Sequence, residues 1–376
     1  MRLESLKLRN FRNFIELECA SFLQVNMFIG KNAQGKSNIL ESINFALSGE
    51  SFRGAKSSEI LRRDGAVTNA VVEGSVSRLS STDKIVCDFT NDNKQIQLNG
   101  KNSSKSKLRQ KYFSVIFCPE SLSIVKNGPA ERRKFFDDFI DVISIEKAQI
   151  REEYVRCIAS RNRVLRNALF GKMSHKEARE VLDSLQPIFL QLATKLVSAR
   201  VETIKSITPK AQSIFKGIFK NPNVDISVDY VISQQSAIAW SANQVYDRLS
   251  ARSDDLREAE QRVGQSLVGP HKHDVRFIVN GHDSRHYCSQ GQQRAMILAY
   301  KIAQVLQYYE VYKEYPVLLL DDVFSELDSE RRKSILEIFK EIPAQIFLTT
   351  TDIEERKDFD KKKRIKIFKV KDGIIE

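Results

Sequence analysis

Residues Gly30-Lys31-Asn32-Ala33-Gln34-Gly35-Lys36-Ser37 spell GxxxxGK[ST], and an apolar run from Leu23 to Ile29 leads straight into them. No other feature constrains the chain as much. The glycines let backbone N–H groups wrap around phosphates, and the N-terminus of the following helix adds favourable partial charge. That helix is expected from Ser37, because Ile39, Leu40, Ile43, Phe45, Ala46 and Leu47 recur at helical spacing. In this geometry Lys36 reaches the β- and γ-phosphates and the Ser37 hydroxyl faces Mg²⁺. The expected ATP-binding set is therefore Gly30, Lys31, Asn32, Ala33, Gln34, Gly35, Lys36, Ser37 and Asn38. A chance glycine turn would have no reason to carry both the strand and the helix.

A second element supports this reading. Tyr315-Pro316 opens the run Val317-Leu318-Leu319-Leu320, which ends in Asp321-Asp322. A buried parallel strand ending in carboxylates suits a Mg²⁺ and water site. Asp321 is the expected Mg²⁺ partner and Asp322 the residue that orients or deprotonates water. Alone, such a run is more often an ordinary core strand; downstream of a phosphate loop, the catalytic reading gains. Ser325-Glu326-Leu327-Asp328 then starts a helix, with Ser325 or Asp328 as its N-cap.

Between these landmarks the character changes. Residues 67–117 read as short strands, with a tight turn at Asn99-Gly100. From about 130 to 212 glycine nearly vanishes and apolar residues recur in a helical rhythm, punctuated by Pro187 and Pro209. Val224 to Ile232 is strand-like, and another helix is expected over about 241–263. The chain thus reads as an α/β nucleotide-binding head, residues 1–135 and 264–376, split by a mainly helical arm over 136–263.

Lys plus Arg number 60 against 48 Asp plus Glu, a net charge of +12 that suits an anionic partner without demanding one. Cys19, Cys87, Cys118, Cys157 and Cys288 are scattered and form no CxxC, which argues against a disulfide framework or a zinc site. The opening segment has no signal-peptide core, and no apolar run is long enough for a membrane helix. A cytoplasmic location without a membrane partner is the expectation.

Cys288-Ser289-Gln290-Gly291-Gln292-Gln293-Arg294 resembles the signature motif of ABC-type ATPases in its SxGQ form. An apolar helix and then the Asp-Asp strand follow it, which is the ABC order. Leu6 to Asn13 resembles the opening strands of SMC-like and Rad-type DNA-repair heads. Phe117-Cys118-Pro119-Glu120, Gly128-Pro129, Glu131 to Phe135, Gly269 to Asp274 and Leu319 to Asp328 narrow the resemblance to gap-repair recombination mediators within that branch. The resemblance implies an ABC-type, SMC-like P-loop ATPase head with a short arm in place of a long coiled coil. It implies that Ser289, Gly291 and Gln292 of one subunit cap the γ-phosphate held by Gly35, Lys36 and Ser37 of another, so that ATP joins a symmetric homodimer. It further implies double-stranded and gapped DNA as ligand, and RecR, with RecO, as partners in loading a recombinase.

Two departures bear on turnover. Most ABC enzymes place Glu where this chain has Asp322, one methylene shorter, so slow hydrolysis is expected. Thr351 stands where many have a switch histidine. His273 also stands where the resembled proteins more often have Asp. Basic groups that could meet DNA phosphates are Arg53, Lys56, Arg62 and Arg63, then Lys101, Lys105, Lys107, Arg109 and Lys111 in a hairpin region. Arg151, Arg156, Arg161, Arg163 and Arg166 form a third group and Lys361 to Arg364 a fourth. Any single group is more often a plain solvated face; the first two are favoured. The competing reading is a nucleotide-dependent scaffold that recruits partners with negligible turnover. A transporter motor or nucleotide kinase fits less well.

Overall fold

The computed structural model describes residues 1–62, 67–79, 81–91, 93–325, 327–351 and 365–375. The chain divides into two compact units, the first formed by Met1–Leu122, Lys210–Val224 and Ser289–Glu376, the second by Ser123–Pro209 and Asp225–Cys288.

The first unit contains two sheets and the phosphate-loop helix, with helices Gln290–Tyr312 and Ser329–Glu341 among its other elements. One sheet is antiparallel and runs in the order Phe14–Ala20, Arg2–Phe11, Asn69–Arg78, Ser81–Thr90, Lys94–Leu98, Lys101–Asn102. The other runs Ile374–Ile375, Ile365–Lys371, Val25–Ile29, Ile346–Thr350, Val317–Leu320, Ser114–Phe117, and all its neighbours are parallel except the first pair. The strands Val25–Ile29, Val317–Leu320 and Ile346–Thr350 are buried at every position, which explains their continuous apolar character. Helix Lys36–Ser48 is buried along Ile39 to Leu47 because apolar side chains from both sheets join its core cluster. Gly74 permits the close approach: a Cβ there would lie 2.6 Å from the Ala46 Cβ.

Register decides where the chemistry gathers. Ile29 pairs with Thr350, Leu348 with Leu320, and Leu320 with Phe117. The carboxyl ends of four parallel strands therefore release Gly30, Thr351, Asp321 and Cys118 along one edge. Open parallel sheets bind ligands at this edge.

The second unit is mainly helical. It contains Pro129–Ile143, Ile145–Leu169 and Ala242–Val263, together with a sheet ordered Gln235–Ser236, Ile226–Ile232, Asp274–Val279, His282–Asp283. Buried arginines bind its elements by paired hydrogen bonds. Arg132 meets Asp274 at 2.8 and 3.1 Å, and Arg200 meets Asp137 at 2.7 and 2.8 Å. Such planar double bonds are the strong, geometry-fixing kind.

Several expectations change here. Pro187 and Pro209 do not break the helical run; both lie inside one helix, His175–Phe219, of 45 residues. Ala178 and Leu182 before Pro187, Phe189, Ala193, Leu196, Val197, Ile204 and Ile207 between the prolines, and Ala211, Ile214 and Phe215 after Pro209 are buried at helical spacing. That continuous stripe outweighs the loss of two backbone hydrogen bonds. The division into units also differs from the 136–263 arm. Helix Pro129–Ile143 and strand Asp274–Val279 belong to the second unit, because Ile226–Ile232 pairs with Asp274–Val279, while Lys210–Val224 joins the first. Residues 69–90 form two strands of 10 residues each rather than shorter ones. The basic hairpin region does turn at Asn99-Gly100, but it continues as helix Lys105–Lys111, with Ser104 capping the Lys107 amide.

Candidate nucleotide site

The phosphate loop has the backbone of an anion cradle. Ala33 and Gly35 both adopt positive φ, 65° and 103°, and Gly35 precedes helix Lys36–Ser48 without any side-chain cap. The first amides of that helix are left to an incoming acceptor. At Gly35 the residue type is also fixed by space, since a Cβ would meet the Asn13 amide at 2.4 Å. Asn13 donates to the Gln34 carbonyl at 3.1 Å and accepts from Asn38 at 2.8 Å, bracing the loop from the first strand pair.

A cavity of about 330 Å³ opens beside this loop. Asn32, Ala33, Gly35, Lys36, Ser37, Asn38, Arg53, Pro119, Glu120, Asp321, Asp322, Thr349 and Thr351 line it. Lys36 Nζ donates to the carbonyls of Gly30, at 2.5 Å, and Lys31, at 2.7 Å, so its ammonium sits folded over the loop. Burial lowers its pKa, opposed by the charges of Asp321 and Asp322. An anion in the cavity would relieve that cost. Ser37 Oγ donates to Asp321 Oδ1 at 2.8 Å, and Thr349 Oγ1 donates to the same oxygen at 2.7 Å. Burial raises the Asp321 pKa, while the two hydroxyls pull it down.

Asp321 and Ser37 together present one carboxylate and one hydroxyl. Magnesium in phosphate sites takes such a small protein share and fills the rest with phosphate oxygens and water. The donor set therefore fits an Mg²⁺–nucleotide complex and not a standalone metal. Among the described residues no cluster of three or more His, Cys, Asp or Glu side chains could hold a metal ion.

Asp322 is exposed at the cavity rim, at a φ of 49°. Thr349 Oγ1 accepts its amide hydrogen bond at 2.9 Å, and the Arg294 guanidinium donates to its carbonyl. Arg294 also lies 5.2 Å over the Phe117 ring. Left-handed backbone at a non-glycine residue is uncommon and is often strained at working sites. Here Thr349, Arg294 and Ser325, whose Oγ donates to the Asp322 carbonyl at 3.1 Å, hold the backbone of a residue that lines the cavity.

Ser289 caps helix Gln290–Tyr312. Its Oγ accepts from the Gln292 amide at 3.2 Å, and Gln292 Oε1 accepts from the Ser289 amide at 2.9 Å. This reciprocal box rigidifies the signature turn. Ser289 is exposed, and Ser289, Gly291 and Gln292 do not line the cavity around Lys36. The structure thus brings Lys36, Ser37, Asp321, Asp322 and Thr351 together and leaves the signature residues apart from them.

Two site residues were not singled out from sequence, and a third was grouped elsewhere. Thr349, not Thr351, makes the hydrogen bonds to Asp321 and Asp322; two threonines closing the buried strand Ile346–Thr350 were the available signal. Glu120 follows an apolar strand and reaches the cavity. Arg53, expected with the DNA-facing group, instead points into the cavity, 3.1 Å from Asn38 Oδ1 and 3.7 Å from Asp321 Oδ2.

The remaining basic groups divide. Lys56, Lys101 and Lys107 are exposed, and the Arg62 amide joins the Asn10 carbonyl. Lys105 and Arg109 pair with Glu50, and Lys111 with Asp83. Arg161 is buried between Gln186 and Glu260, which removes it from any DNA-facing surface, and Arg151 pairs with Asp141. Arg63 and Lys361 to Arg364 lie outside the described residues.

Residues 2–376 match the RecF/RecN/SMC N-terminal domain family. The chain belongs to it. Full-length similarity narrows the placement to the RecF family. A DNA replication and repair protein RecF of Staphylococcus epidermidis is 35% identical over the whole of both chains. One from Desulforamulus reducens is 32% identical over 93% of this chain and 92% of its own. A solved structure of the recombination mediator protein RecF with ATP, in the RecFOR pathway, superposes with a TM-score of 0.84 at 31% identity, covering 100% of this chain and 98% of that one. An SMC head bound to the C-terminal winged-helix domain of ScpA superposes at 0.59 with 16% identity and 100% coverage of this chain, which speaks to fold alone. The fold class is accordingly that of an SMC-like, ABC-type P-loop ATPase head. No helix among the described residues is long and apolar enough to cross a membrane.

Proposed function

We propose that this chain is an ATP-dependent DNA-binding protein of recombinational repair and replication restart. ATP with Mg²⁺ is held by the phosphate loop, Lys36, Ser37 and Asp321. A second copy supplies Ser289, Gly291 and Gln292 against the γ-phosphate, which joins the heads and clamps double-stranded DNA at gaps or strand junctions. Slow hydrolysis then releases the clamp, and the cycle helps RecR, with RecO, load a recombinase.

The observation that carries this reading is the separation just described. The cavity holds the phosphate loop, both Asp residues and Thr351, while a rigid, exposed signature turn stands outside its lining. In hydrolysis, Asp322 takes a proton from a water as its oxygen bonds to the γ-phosphorus and the bond to the β-phosphate breaks. Lys36 and Arg53 face the charge that builds on the transferred group. An Asp on a fixed left-handed backbone reaches less far than a Glu would, which supports slow turnover.

The test is molar mass in solution with and without ATP and Mg²⁺, for wild type, Lys36→Arg, Asp322→Asn and Ser289→Arg. A monomer that doubles only with ATP, persists longer in Asp322→Asn and fails in Ser289→Arg agrees with the proposal. Mass indifferent to ATP in every protein overturns the clamp. The short reach of Asp322 also favours one other reading, a scaffold that binds nucleotide and recruits partners without turnover. Phosphate release unchanged by duplex DNA, and no faster than in Asp322→Asn, would select it.

A further inference from the structure

The loop after the phosphate-loop helix connects the nucleotide cavity to a basic helix. Gly49 ends helix Lys36–Ser48 at a φ of 70°, where a Cβ would lie 2.7 Å from Ile96 Cδ1, so the chain turns there in little space. Glu50 follows. Its Oε1 lies 2.9 Å from Lys105 Nζ and its Oε2 3.6 Å from Arg109 Nη1, both on helix Lys105–Lys111. Lys94 closes the group from the neighbouring strand, with its ammonium on the Gly49 carbonyl at 2.7 Å. Burial pushes the Glu50 carboxyl up, but the Lys105 hydrogen bond and the charges of Arg109, Lys105 and Lys94 outweigh it and hold the group ionised.

The next residue is the pivot. Ser51 Oγ donates to Glu41 Oε1 at 2.5 Å and accepts from the amides of Arg53, at 3.1 Å, and Ala55, at 3.2 Å. Glu41 is wholly buried and is held in turn by Arg12 through two hydrogen bonds of 3.0 Å. One hydroxyl on a fixed carboxylate therefore anchors the loop. Glu50 leaves this anchor toward the basic helix, and Arg53 leaves it toward Asp321 and Asn38 in the cavity.

We propose that Glu50 is an intramolecular mask over two DNA-phosphate contacts, Lys105 and Arg109, and that Arg53 lifts it when nucleotide phosphate enters the cavity. The inference rests on the ATP- and DNA-binding reading above. The carboxylate occupies the donors that a phosphate oxygen of a duplex would use. Lys105 has 63% of its side chain exposed and Glu50 has 32%, so the pair is water-accessible and exchangeable. In the cavity, Arg53 meets neutral Asn38 at hydrogen-bond distance and stands 3.7 Å off Asp321. A phosphate group competes for that guanidinium more strongly than either. Glu50 and Arg53 lie on either side of Ser51 in one short loop, and the step this proposal adds is that Arg53, drawn onto phosphate, pulls the loop with it and takes Glu50 off the helix. The partner is thus a polyanionic backbone, met through charge and not base edges.

The experiment is anisotropy of a labelled gapped duplex, titrated at several KCl concentrations with and without ATP and Mg²⁺. The proteins are wild type, Glu50→Gln, Lys105→Gln/Arg109→Gln and the triple variant. Without nucleotide, Glu50→Gln should bind about tenfold tighter at low salt and steepen the salt slope by about two, as two more phosphate contacts require. With ATP, it should match wild type. On the Lys105→Gln/Arg109→Gln background it should change nothing. If wild type binds duplex with ATP but Glu50→Gln alters neither affinity nor slope, the mask is wrong. A gain that is equal with and without ATP overturns the link through Arg53. Wild type that binds no duplex in any nucleotide state overturns the proposed function itself.

Discussion

Ser37 Oγ sits 2.8 Å from Asp321 Oδ1, a contact between residues 284 positions apart in the chain. The register that pairs Ile29 with Thr350 and Leu320 with Leu348 creates it. In this arrangement the carboxylate and the hydroxyl lie side by side in direct contact, as the neighbouring pair that Mg²⁺ would take as ligands. Asp321→Asn keeps the shape and accepts the Ser37 bond but loses the charge. It should weaken Mg²⁺-dependent ATP binding by about 100-fold while leaving Mg²⁺-free binding within about threefold, given the usual cost of losing a charged ligand. Isothermal titration with and without Mg²⁺ checks this. Equal losses under both conditions would mean that Asp321 acts on the fold and not on the metal.

The Arg12–Glu41 pair gives a prediction for stability. Glu41 is completely shielded from solvent and Arg12 is 16% exposed in its side chain. Removing one partner strands a buried charge, so Arg12→Met should destabilise the chain by about 3–5 kcal/mol. Arg12→Met combined with Glu41→Leu should cost much less than Arg12→Met alone, because the stranded charge is then gone. Urea denaturation of both variants provides the comparison, and a double variant worse than the single would contradict it. Glu41→Leu also frees Ser51, so the double variant should lose the nucleotide dependence of DNA binding even where its stability recovers.

How far the sequence carried this reading depends on the range of each interaction. Gly30 to Ser37 and Val317 to Asp322 are local patterns whose residue types state their own geometry, and both were legible. Of the two caps the sequence offered, Ser325 and Asp328, it is Asp328 that accepts from the Arg331 amide, at 2.8 Å. Thr349 was not legible, because its partners depend on the register of three strands from distant parts of the chain. Arg53 was grouped with the DNA-facing residues although it lines the cavity, because charge alone does not distinguish a cavity arginine from a surface one. Pro187 and Pro209 misled because the buried stripe that overrides them is a property of packing. Asp274–Val279 was assigned to the head because its partner, Ile226–Ile232, lies across a helix in sequence.

Thr349 joins the two carboxylate residues. Its single hydroxyl donates to Asp321 and accepts from the Asp322 amide, and it is buried. Thr349→Val keeps the volume and removes both bonds. Asp321 then loses one of the two hydroxyls that oppose its desolvation, so its pKa should rise further. The Asp322 backbone also loses the partner of its amide. ATP hydrolysis should fall by about tenfold or more, as misplacement of a catalytic group commonly causes. Its acid limb should move to higher pH. Thr349→Ser, which restores the hydroxyl, should recover both. A Thr349→Val enzyme with wild-type rate and an unshifted pH profile would reduce Thr349 to a packing residue.

His271 makes the second unit sensitive to mild acid. Burial lowers its pKa to about 4, with the charges of Lys272, Arg133 and Arg200 adding to the effect and the Ser266 carbonyl opposing it. Its Nδ1 lies 2.6 Å from Tyr154 Oη and its Nε2 3.2 Å from the Ser266 carbonyl, a pattern that the neutral ring satisfies by accepting at Nδ1 and donating at Nε2. His273, beside Tyr230 Oη at 3.0 Å, is also held neutral by burial and by Arg200, His271 and Arg133. In the unfolded chain both rings titrate near the ordinary value of about 6.5. Below that pH the unfolded state binds protons that the folded state refuses, so stability is complete above about 6.5 and is lost as pH falls toward 4. For His271 the loss amounts to about 3 kcal/mol by pH 4. Thermal melts between pH 7 and pH 5 should therefore show a falling Tm that levels out in His271→Gln/His273→Gln, where an amide keeps hydrogen-bonding capacity without a titrating ring. An equal decline in the double variant would assign the acid sensitivity to other groups.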